Sequence, residues 1–383
     1  MTNSNVEDII TRRMAGRGVR QQEIDFFLSA RRLMGVRDEK LNWDEITPIA
    51  RGSVPSLPEK ESEEYAALEN LGKQHLGQCA VVKLNGGRST TTGGQVPKCM
   101  VPAKNGMSFL DIVMHQVVAT NDRIGVEVPL VLMNSFFTDQ VTEKIVGKTP
   151  LIIMNFVQNE YPRIRQDNLM PLETGSEEDW CPAGHGNFYA SFYGSGLVDS
   201  LLDLGLRYVF VSNIDNLSAE LSPVILGMMV AGNKDFLMEV TAKTAEDVKG
   251  GAPVYYREQL SLLEIAQIPE AHHGDFQNIE RFGYFNTNNL WIDLISLKKI
   301  MDTDSMQLPI IQNRKTIRDT GVIQIETAMG AALSCFDRPG LLNVPRYRFA
   351  PVKKVSDLEQ LQSDQFHMDN QYRIRRKDDQ DCH

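Results

Sequence analysis

Short, wholly apolar stretches recur along the chain from residue 79 onward, and segments with helical periodicity separate several of them. The apolar stretches are CAVVKL (79–84), VPLVLM (128–133), LIIMNF (151–156), YVFVS (208–212), FLMEV (236–240) and LLEIA (262–266). Two intervening segments, 109–120 and 196–206, place their apolar residues on one helical face. Continuous apolar strands that alternate with amphipathic helices predict an α/β fold, with a mostly parallel sheet covered on both faces.

The two ends of the chain have a different composition. Residues 1–75 are polar, with helical periodicity in 23–34 and 59–74, which predicts a helical N-terminal extension. The α/β domain is then predicted to span residues 76–362. Residues 363–383 carry mixed charges and little apolar surface, so we expect a mobile tail there.

The charge of the chain restricts its partners. The 383 residues include 40 Lys and Arg against 50 Asp and Glu, a formal net charge of −10, so nucleic acid and anionic membranes are not expected as main partners. No apolar run approaches the roughly 18–20 residues of a membrane helix, and the polar N-terminus does not look like a secretory signal. The five cysteines are scattered without a CxxC pair, which favours reduced thiols in a cytoplasmic protein.

The most distinctive chemistry follows the apolar stretches, at the sheet edge where ligands of such folds bind. KLNGGRSTTTGGQVPK (83–98) contains glycines that let the backbone approach an anion closely. Lys98 and Arg88 can supply full charges to phosphate oxygens. The spacing is neither a Walker A loop nor GxGxxG, so the segment is either a phosphate-binding loop or an ordinary Gly-rich turn. Lys249 and Lys353 also stand out by context, although surface lysines are usually solvated.

Three further segments offer polar side chains in unusual settings. In SNIDN (212–216), Asp215 follows an apolar strand, where a carboxylate suits a Mg²⁺ ion shared with phosphates, or alternatively caps a helix. His185 lies between two glycines, which provide no side chains for core packing, but a histidine in a core or surface turn remains an alternative. FNTNNLW (285–291) offers amides for sugar hydroxyls, although Asn-rich turns are common.

Taken together, these segments resemble the eukaryotic-type UDP-glucose pyrophosphorylases (UTP–glucose-1-phosphate uridylyltransferases). The similarity is carried by KLNGG and PK (83–98), QNEYPRI (158–164), GHG (184–186), YVFVSNIDNL (208–217), MEVTAKTAEDVKGG (238–251), FNTNNLW (285–291) and NVPRYRFAPVKKVSD (343–357), in the order of the family. The resemblance implies a Rossmann-like nucleotidyltransferase fold, with 76–362 as the catalytic domain. It also implies Mg²⁺-dependent in-line attack of a sugar 1-phosphate on the α-phosphorus of an NTP, with release of pyrophosphate and no covalent enzyme intermediate.

The resemblance implies roles for individual residues at matching positions. The nucleotide-binding positions are Leu84, Asn85, Gly86, Gly87, Gln158 and Gly184. The sugar-phosphate side comprises His185, Asn213, Lys249, Glu264, Asn288 and Glu326. Lys98 and Lys353 match the lysines that face the phosphates, and Asp215 matches the likely Mg²⁺ ligand. Arg88 stands where the family usually has Leu, and we assign it to the catalytic group as a hypothesis of phosphate contact.

Departures from the family leave the substrates and the assembly open. The family usually has LNGG-Leu-Gly-Thr and a Gly before the Pro-Lys pair, whereas this chain has RST (88–90) and Val96, and Asn187 stands where Asp is common. Replacing a loop glycine can forbid a positive φ and block close approach to phosphate. The printed sequence also stops soon after residue 357, where the family continues into a C-terminal left-handed β-helix, so we expect a monomer or a dimer that does not use that domain.

Three functions are compatible with the sequence. The first is the family reaction of UTP with glucose 1-phosphate, which makes UDP-glucose. The second, favoured by the altered loop and the early end, uses GTP or another NTP and a sugar-like cyclitol 1-phosphate, as in the biosynthesis of C7-cyclitol antibiotics. The third is a non-catalytic nucleotide-sugar-binding protein. Retention of Lys98, Asp215 and Lys353 argues against the third, since binding alone would not need the metal ligand and both lysines.

Overall fold

The computed structural model describes residues 3–34, 41–89, 96–147, 149–244, 247 and 250–377. Its helices are α1 (Asn3–Gly16), α2 (Gln21–Leu33), α3 (Glu63–His75), α4 (Phe109–Ile124), α5 (Asp139–Val146), α6 (Phe188–Gly194), α7 (Leu197–Asp203), α8 (Pro223–Ala231), α9 (His273–Phe276), α10 (Leu294–Asp302) and α11 (Val355–Gln362). Its strands are β1 (Ile46–Pro48), β2 (Cys79–Leu84), β3 (Pro102–Lys104), β4 (Met107–Ser108), β5 (Leu130–Asn134), β6 (Ile153–Val157), β7 (Glu160–Pro162), β8 (Ile164–Arg165), β9 (Trp180–Pro182), β10 (Tyr208–Asn213), β11 (Phe236–Ala242), β12 (Ala252–Tyr256), β13 (Gln259–Leu263), β14 (Tyr284–Asp293), β15 (Ile310–Ile317), β16 (Thr320–Thr327), β17 (Pro339–Asn343), β18 (Phe366–Met368) and β19 (Ile374–Arg376).

A seven-stranded sheet forms the centre of the fold, in the order β17-β11-β14-β10-β2-β5-β6. β14 is antiparallel to both of its neighbours, and the other neighbouring pairs are parallel. Alternate residues of a strand face opposite sides of the sheet. In β2, Cys79 and Val81 therefore join the core on one face, while Ala80 and Val82 join the core on the other. The predicted α/β fold with a mixed, mostly parallel sheet is confirmed.

Helices cover both faces of this sheet. α4 and α8 pack on one face, and α6, α7 and α10 pack on the other. All of the predicted strands except LLEIA (262–266) belong to this central sheet. The first two residues of LLEIA end β13, and Ile265 and Ala266 belong to a short 3-10 turn. β13 forms a separate three-stranded sheet with β1 and β12, so 1–75 contributes a strand as well as helices. The division of the chain into domains stays a prediction.

Residues 363–377 differ from the mobile tail expected there. They include a hairpin of β18 and β19, in which Ile374 is 1% exposed. Tyr372 stacks on His115 of α4, with 4.4 Å between the ring centroids. The apolar side chains spaced among the charges thus find a surface to pack against, which the mixed composition of the segment does not reveal. Residues 378–383 lie outside the described residues.

The described residues contain no helix that is both long and apolar enough to pass through a bilayer. Cys79, Cys99, Cys181 and Cys335 are free cysteines. Cys382 lies outside the described part of the chain.

α3 crosses α8 at a point where both helices carry glycine. A Cβ on Gly72 would lie 1.7 Å from the carbonyl oxygen of Pro223, and one on Gly227 would lie 1.9 Å from that of Leu68. The backbones of the two helices are therefore in direct contact. This contact holds α3 against the layer of helices that covers the sheet.

We expect Gly227→Ala to destabilise the protein by about 1–3 kcal/mol, because the added methyl group must displace the backbone of α3. Urea unfolding followed by circular dichroism measures the change. Gly147→Ala is the matched control, since a Cβ there meets nothing within 4 Å and the backbone φ is −68°, so it should not lower the stability. A Gly227→Ala protein as stable as the parent would contradict the close crossing.

Candidate active site

A cavity of about 660 Å³ opens at the carboxyl ends of β2, β5 and β10. Because parallel strands end at one edge of the sheet, residues distant in sequence meet there. Most of the predicted site residues line the cavity: Leu84, Gly86, Gly87, Arg88, Lys98, Gln158, Gly184, His185, Asn213, Asp215 and Lys353. The lining does not include Asn85, Glu264, Asn288 or Glu326, and Lys249 lies outside the described residues.

Two of the predicted nucleotide-binding glycines leave room for neighbouring groups. Gly86 belongs to the loop after β2, described at residues 85–89 and 96–98, which we call the nucleotide loop after its predicted role, and Gly184 precedes the turn at His185. A Cβ on Gly86 would lie 2.1 Å from Nε2 of Gln158, so a larger residue would displace this amide. Gly184 has a φ of +86°, and a Cβ there would lie 3.2 Å from backbone atoms of Thr327. Asn85 supports the loop from inside, because its buried Nδ2 donates to side chains of β5 and α5 at 2.7 and 2.9 Å.

Two lysines and one aspartate form the charged centre of the cavity. Lys98 Nζ lies 2.5 Å from Asp215 Oδ2 and also donates to the carbonyl oxygen of Val352. Lys353 Nζ lies 3.2 Å from the same oxygen of Asp215. The lysines come from the loop after β2 and the segment before α11, and Asp215 comes from the turn after β10. Since two ammonium groups share one carboxylate, the cluster keeps a net positive charge that attracts phosphate.

The carboxylate of Asp215 is buried and ionised. Burial alone raises its pKa, but Lys353 and Lys98 together outweigh this effect and hold the pKa below its ordinary value. Its Oδ1 is buried and has no hydrogen-bond partner within the described residues. A buried, unpartnered oxygen on an ionised carboxylate fits a divalent cation.

The metal would depend on the substrate for most of its ligands. The described residues contain no group of three or more His, Cys, Asp or Glu side chains that could hold a metal ion. Mg²⁺ commonly takes one or two carboxylates and completes its shell with phosphate oxygens and water. Asp215 Oδ1 therefore fits a Mg²⁺ ion held jointly with a bound nucleotide.

His185 is held as a neutral imidazole in the cavity wall. Its Nδ1 accepts a hydrogen bond from the backbone N–H of Met329 at 2.9 Å, which requires that nitrogen to be unprotonated. The His185 side chain is exposed at the cavity surface, but the atoms packed around it restrict its hydration. This effect, and then the charge of Lys353, lower the pKa of His185 below its ordinary value. Nε2 therefore carries the proton and is available to donate a hydrogen bond to an oxygen of a ligand.

The asparagines predicted for the sugar side lie together. Asn288 Nδ2 donates to Asn213 Oδ1 at 3.1 Å, and Asn213 lines the cavity. Asn288 has a φ of +60°, in the left-handed region that most residues avoid. Its Oδ1 is buried and, within the described residues, has no partner. An unusual backbone and an unpaired acceptor in one residue indicate a role toward a ligand.

Glu264 and Glu326 lie outside the cavity lining. Glu264 lies against Gly251, where a Cβ would be 2.5 Å from its Oε1. Burial raises the pKa of Glu264 to about 7, although the charge of Lys243 opposes this shift. Glu326 lies beside Gly184, whose added Cβ would be 3.0 Å from that of the glutamate. Their predicted contacts with sugar hydroxyls stay predictions.

The altered part of the nucleotide loop keeps an ordinary backbone where it is described. Arg88, Ser89 and Val96 all have negative φ, so the loss of the family glycines at positions 89 and 96 does not strain the chain. Ser89 Oγ donates to the carbonyl oxygen of Val96 at 2.8 Å and closes the neck of the loop. The guanidinium carbon of Arg88 lies 3.9 Å from the centroid of the Phe137 ring. Residues 90–95 lie outside the described residues.

Sequence reasoning missed part of the cavity wall. Arg163, Trp180 and Lys315 line the cavity, but none of them follows a strand of the central sheet or a pair of glycines. Ser135 could have been predicted as a site residue from the sequence, because it directly follows the apolar strand β5. Its Oγ donates to the carbonyl oxygen of Gly86 at 2.9 Å and so supports the nucleotide loop.

An α/β sheet with two lysines and one buried carboxylate clustered at its strand ends is an arrangement compatible with a nucleotidyltransferase. Comparison with known proteins agrees. Residues 24–382 match the family described as UTP–glucose-1-phosphate uridylyltransferase. The chain is 41% identical over 350 residues to the UTP–glucose-1-phosphate uridylyltransferase of Musa acuminata, covering 88% of this chain and 73% of the relative. The chain therefore belongs to the UTP–glucose-1-phosphate uridylyltransferase family, whose members are nucleotidyltransferase enzymes.

Solved structures show the same relationship. The UDP-glucose phosphorylase of Trypanosoma brucei is similar at a TM-score of 0.86 and 37% identity, covering 98% of this chain and 83% of that one. A mutant UDP-glucose pyrophosphorylase of Leishmania major in complex with UDP-glucose is similar at a TM-score of 0.85 and 31% identity, covering 100% of this chain and 84% of that one. The fold predicted from the resemblance is thereby confirmed.

We expect the imidazole of His185 to protonate only below pH 6.5, because a protonated Nδ1 could no longer accept the N–H of Met329. Restricted hydration in the cavity wall and the charge of Lys353 also disfavour the charged form, although the side chain is exposed to the cavity. Since this pKa is lower in the folded than in the unfolded state, the stability contributed by His185 is present above about pH 6.5 and is lost as the pH falls through the folded-state pKa. Histidine NMR titration, assigned with His185→Asn, measures the midpoint. A midpoint at the ordinary value would contradict the hydrogen bond to Nδ1.

Proposed function

We propose that the protein transfers the uridylyl group of UTP to glucose 1-phosphate, with Mg²⁺, and releases pyrophosphate and UDP-glucose. The observation that carries the proposal is the cluster of Lys98, Asp215 and Lys353, between the nucleotide loop and the sugar-side asparagines. The names of the relatives support UTP and glucose 1-phosphate as substrates. The UDP-glucose bound to the similar Leishmania major protein supports the product.

Binding in this cavity aligns the reactants. An oxygen of the sugar phosphate attacks the α-phosphorus of UTP, and the bond from that phosphorus to the oxygen bridging to the β-phosphate breaks. Pyrophosphate leaves with the electron pair. Such a reaction needs little covalent help from the protein and depends on position and charge neutralisation. When bound, Mg²⁺ supplies further neutralisation of the phosphate oxygens, and Asp215 is the residue that would hold it.

Lys98 and Lys353 differ in how exposed and how firmly held their side chains are, so we assign them different roles in the reaction. Lys98 is 8% exposed and fixed by Asp215 and the carbonyl oxygen of Val352, so it offers a charge at a set position. The side chain of Lys353 is 55% exposed and has room to turn toward an arriving phosphate. Charges fixed before the reaction stabilise the transition state without reorganisation, so Lys98 is the main electrostatic catalyst.

Hydrogen bonds fix the rest of the substrate. Gln158 and the loop at Gly86 hold the base, and Asn213 and Asn288 hold the sugar. His185 donates from Nε2 to a phosphate oxygen, and its low pKa means that it orients this oxygen without adding a charge. Arg88, at the edge of the cavity, is our candidate for a further phosphate contact.

We expect pyrophosphate release with UTP and glucose 1-phosphate in Mg²⁺, and its loss when EDTA removes the metal. The test compares UTP, GTP, ATP, CTP and dTTP, each with glucose 1-phosphate and with a cyclitol 1-phosphate. Preference for another NTP or for the cyclitol would show that the altered loop re-directs specificity. UDP-glucose binding without turnover of any pair would contradict the proposed reaction and favour a binding protein.

We expect Lys98→Ala to lower kcat by at least about tenfold, or ~1.4 kcal/mol, because a fixed charge is removed from the transition state. Steady-state kinetics with UTP measure this, with Lys299→Ala as the control. Lys299 is an exposed lysine that pairs with Asp337. Parental kinetics in Lys98→Ala would remove Lys98 from the mechanism.

We expect Arg88→Leu to raise the KM for UTP, because it removes the proposed phosphate contact. An unchanged KM in Arg88→Leu would contradict that contact.

A further inference from the structure

The helical pair α1–α2 lies outside the central α/β layers, yet it supports the wall of the cavity. Arg13 and Arg17 stack on Trp180, with their guanidinium carbons 5.4 and 4.7 Å from a ring centroid. Arg17 also pairs with Glu177 at 3.0 Å. Trp180 and Glu177 both line the cavity. The N-terminal helices are therefore in direct contact with residues that line the cavity.

A second contact runs through Glu23 of α2, a carboxylate that is only 8% exposed. Its Oε2 accepts hydrogen bonds from Tyr161 Oη at 2.6 Å, Asn187 Nδ2 at 2.6 Å and Asn159 Nδ2 at 3.2 Å. Burying a carboxylate is unfavourable unless its oxygens are satisfied. Three donors aimed at one oxygen thus make Glu23 the centre of a polar network between α2 and the chain around the cavity.

Asn187 connects this network to the cavity. It is the last residue of the single 3-10 turn His185–Asn187, and His185 is the first. On its other side the turn lies against the end of β16, so closely that a Cβ on Gly186 would be 2.3 Å from Thr327 Oγ1. The turn is therefore clamped between Glu23 and β16, and a shift of Asn187 would move the imidazole.

We propose that Glu23 is a positioning residue for nucleotidyl transfer, since by holding Asn187 it fixes the turn that directs His185 Nε2 into the cavity. This role rests on the proposed function, because it assumes that a phosphate is bound beside His185. The proposal also gives α1 and α2 an indirect role in the reaction. No described side chain of either helix lines the cavity.

Glu23 and Asn187 form a complementary acceptor and donor, and exchanging these two roles tests the proposal. The carboxylate at position 23 can only accept, so it needs the amide donor of Asn187. Asn187→Asp would place two carboxylates in contact, and one of them would have to move or take up a proton. Adding Glu23→Gln exchanges donor and acceptor, because the amide introduced at position 23 can donate to the carboxylate introduced at 187 while the Tyr161 hydroxyl turns to accept. Asn159 Nδ2 gives up its bond to position 23 and keeps the one it donates to Ser191 Oγ at 3.3 Å.

The experiment measures kcat and KM for both substrates in the single and double variants. We expect Asn187→Asp to lower kcat/KM by at least about tenfold, and Asn187→Asp with Glu23→Gln to recover to within about threefold of the parent. Glu7→Gln is the matched control. It breaks a two-bond ion pair with Arg32 on the same helices, at 2.8 and 2.7 Å, away from the cavity, and should leave the kinetics unchanged.

NMR of the histidine side chains gives a readout independent of activity. The resonance of His185, assigned with His185→Asn, should move in Asn187→Asp, return in the double variant and stay in place in Glu7→Gln. If Asn187→Asp does not fold, Tyr161→Phe removes one donor to Glu23 with little change of shape and should move the same resonance.

Two results would overturn the proposal. One is parental kinetics and an unmoved resonance in Asn187→Asp, or in Tyr161→Phe if the first variant does not fold. The other is a double variant no better than the single one. A parent protein that turns over no substrate would contradict the proposed function instead, and the resonance would still decide whether Glu23 positions the turn.

Discussion

The active site depends on one buried carboxylate. Asp215 binds Lys98 from the nucleotide loop and Lys353 from the segment before α11, through the same carboxylate oxygen. A carboxylate buried without cations would be protonated or exposed to solvent. The lysines therefore keep Asp215 charged, and Asp215 keeps two like charges close together, so each part of the cluster requires the others.

A second buried ion pair holds this cluster in place. Arg348 is 5% exposed, and its guanidinium donates to both oxygens of Glu239 in β11 at 2.9 and 2.8 Å. Trp291 Nε1 donates to the same carboxylate at 2.9 Å. Removing either partner would leave an uncompensated buried charge, which is strongly destabilising. The pair thus anchors the segment that carries Lys353 to the sheet, so that the position of the lysine is set by the core and not by a surface loop.

The sequence predicts the centre of the protein well and its periphery poorly, for a physical reason. Strands buried on both faces are continuously apolar, so β2 and β10 are visible in the sequence, and Lys98 and Asp215 are found because ligand-binding residues follow such strands. Glu23 carries no such signal. A glutamate in an amphipathic helix is usually solvated, and its partner Asn187 is 164 residues away. Long-range partners of this kind, like the packing of residues 363–377, depend on the assembled fold.

The described residues of the altered nucleotide loop show none of the backbone strain that the loss of its family glycines could cause. A loop that had merely lost its glycines would show strain, with side-chain-bearing residues forced into positive φ. Instead Ser89 and Val96 have ordinary backbones and bond to each other across the neck. Arg88 lays its guanidinium on Phe137 and so fills an apolar contact while placing a cation at the edge of the cavity. The described substitutions are therefore compatible with the backbone next to Lys98, so the loss of the family glycines is by itself no argument against phosphate binding at this loop.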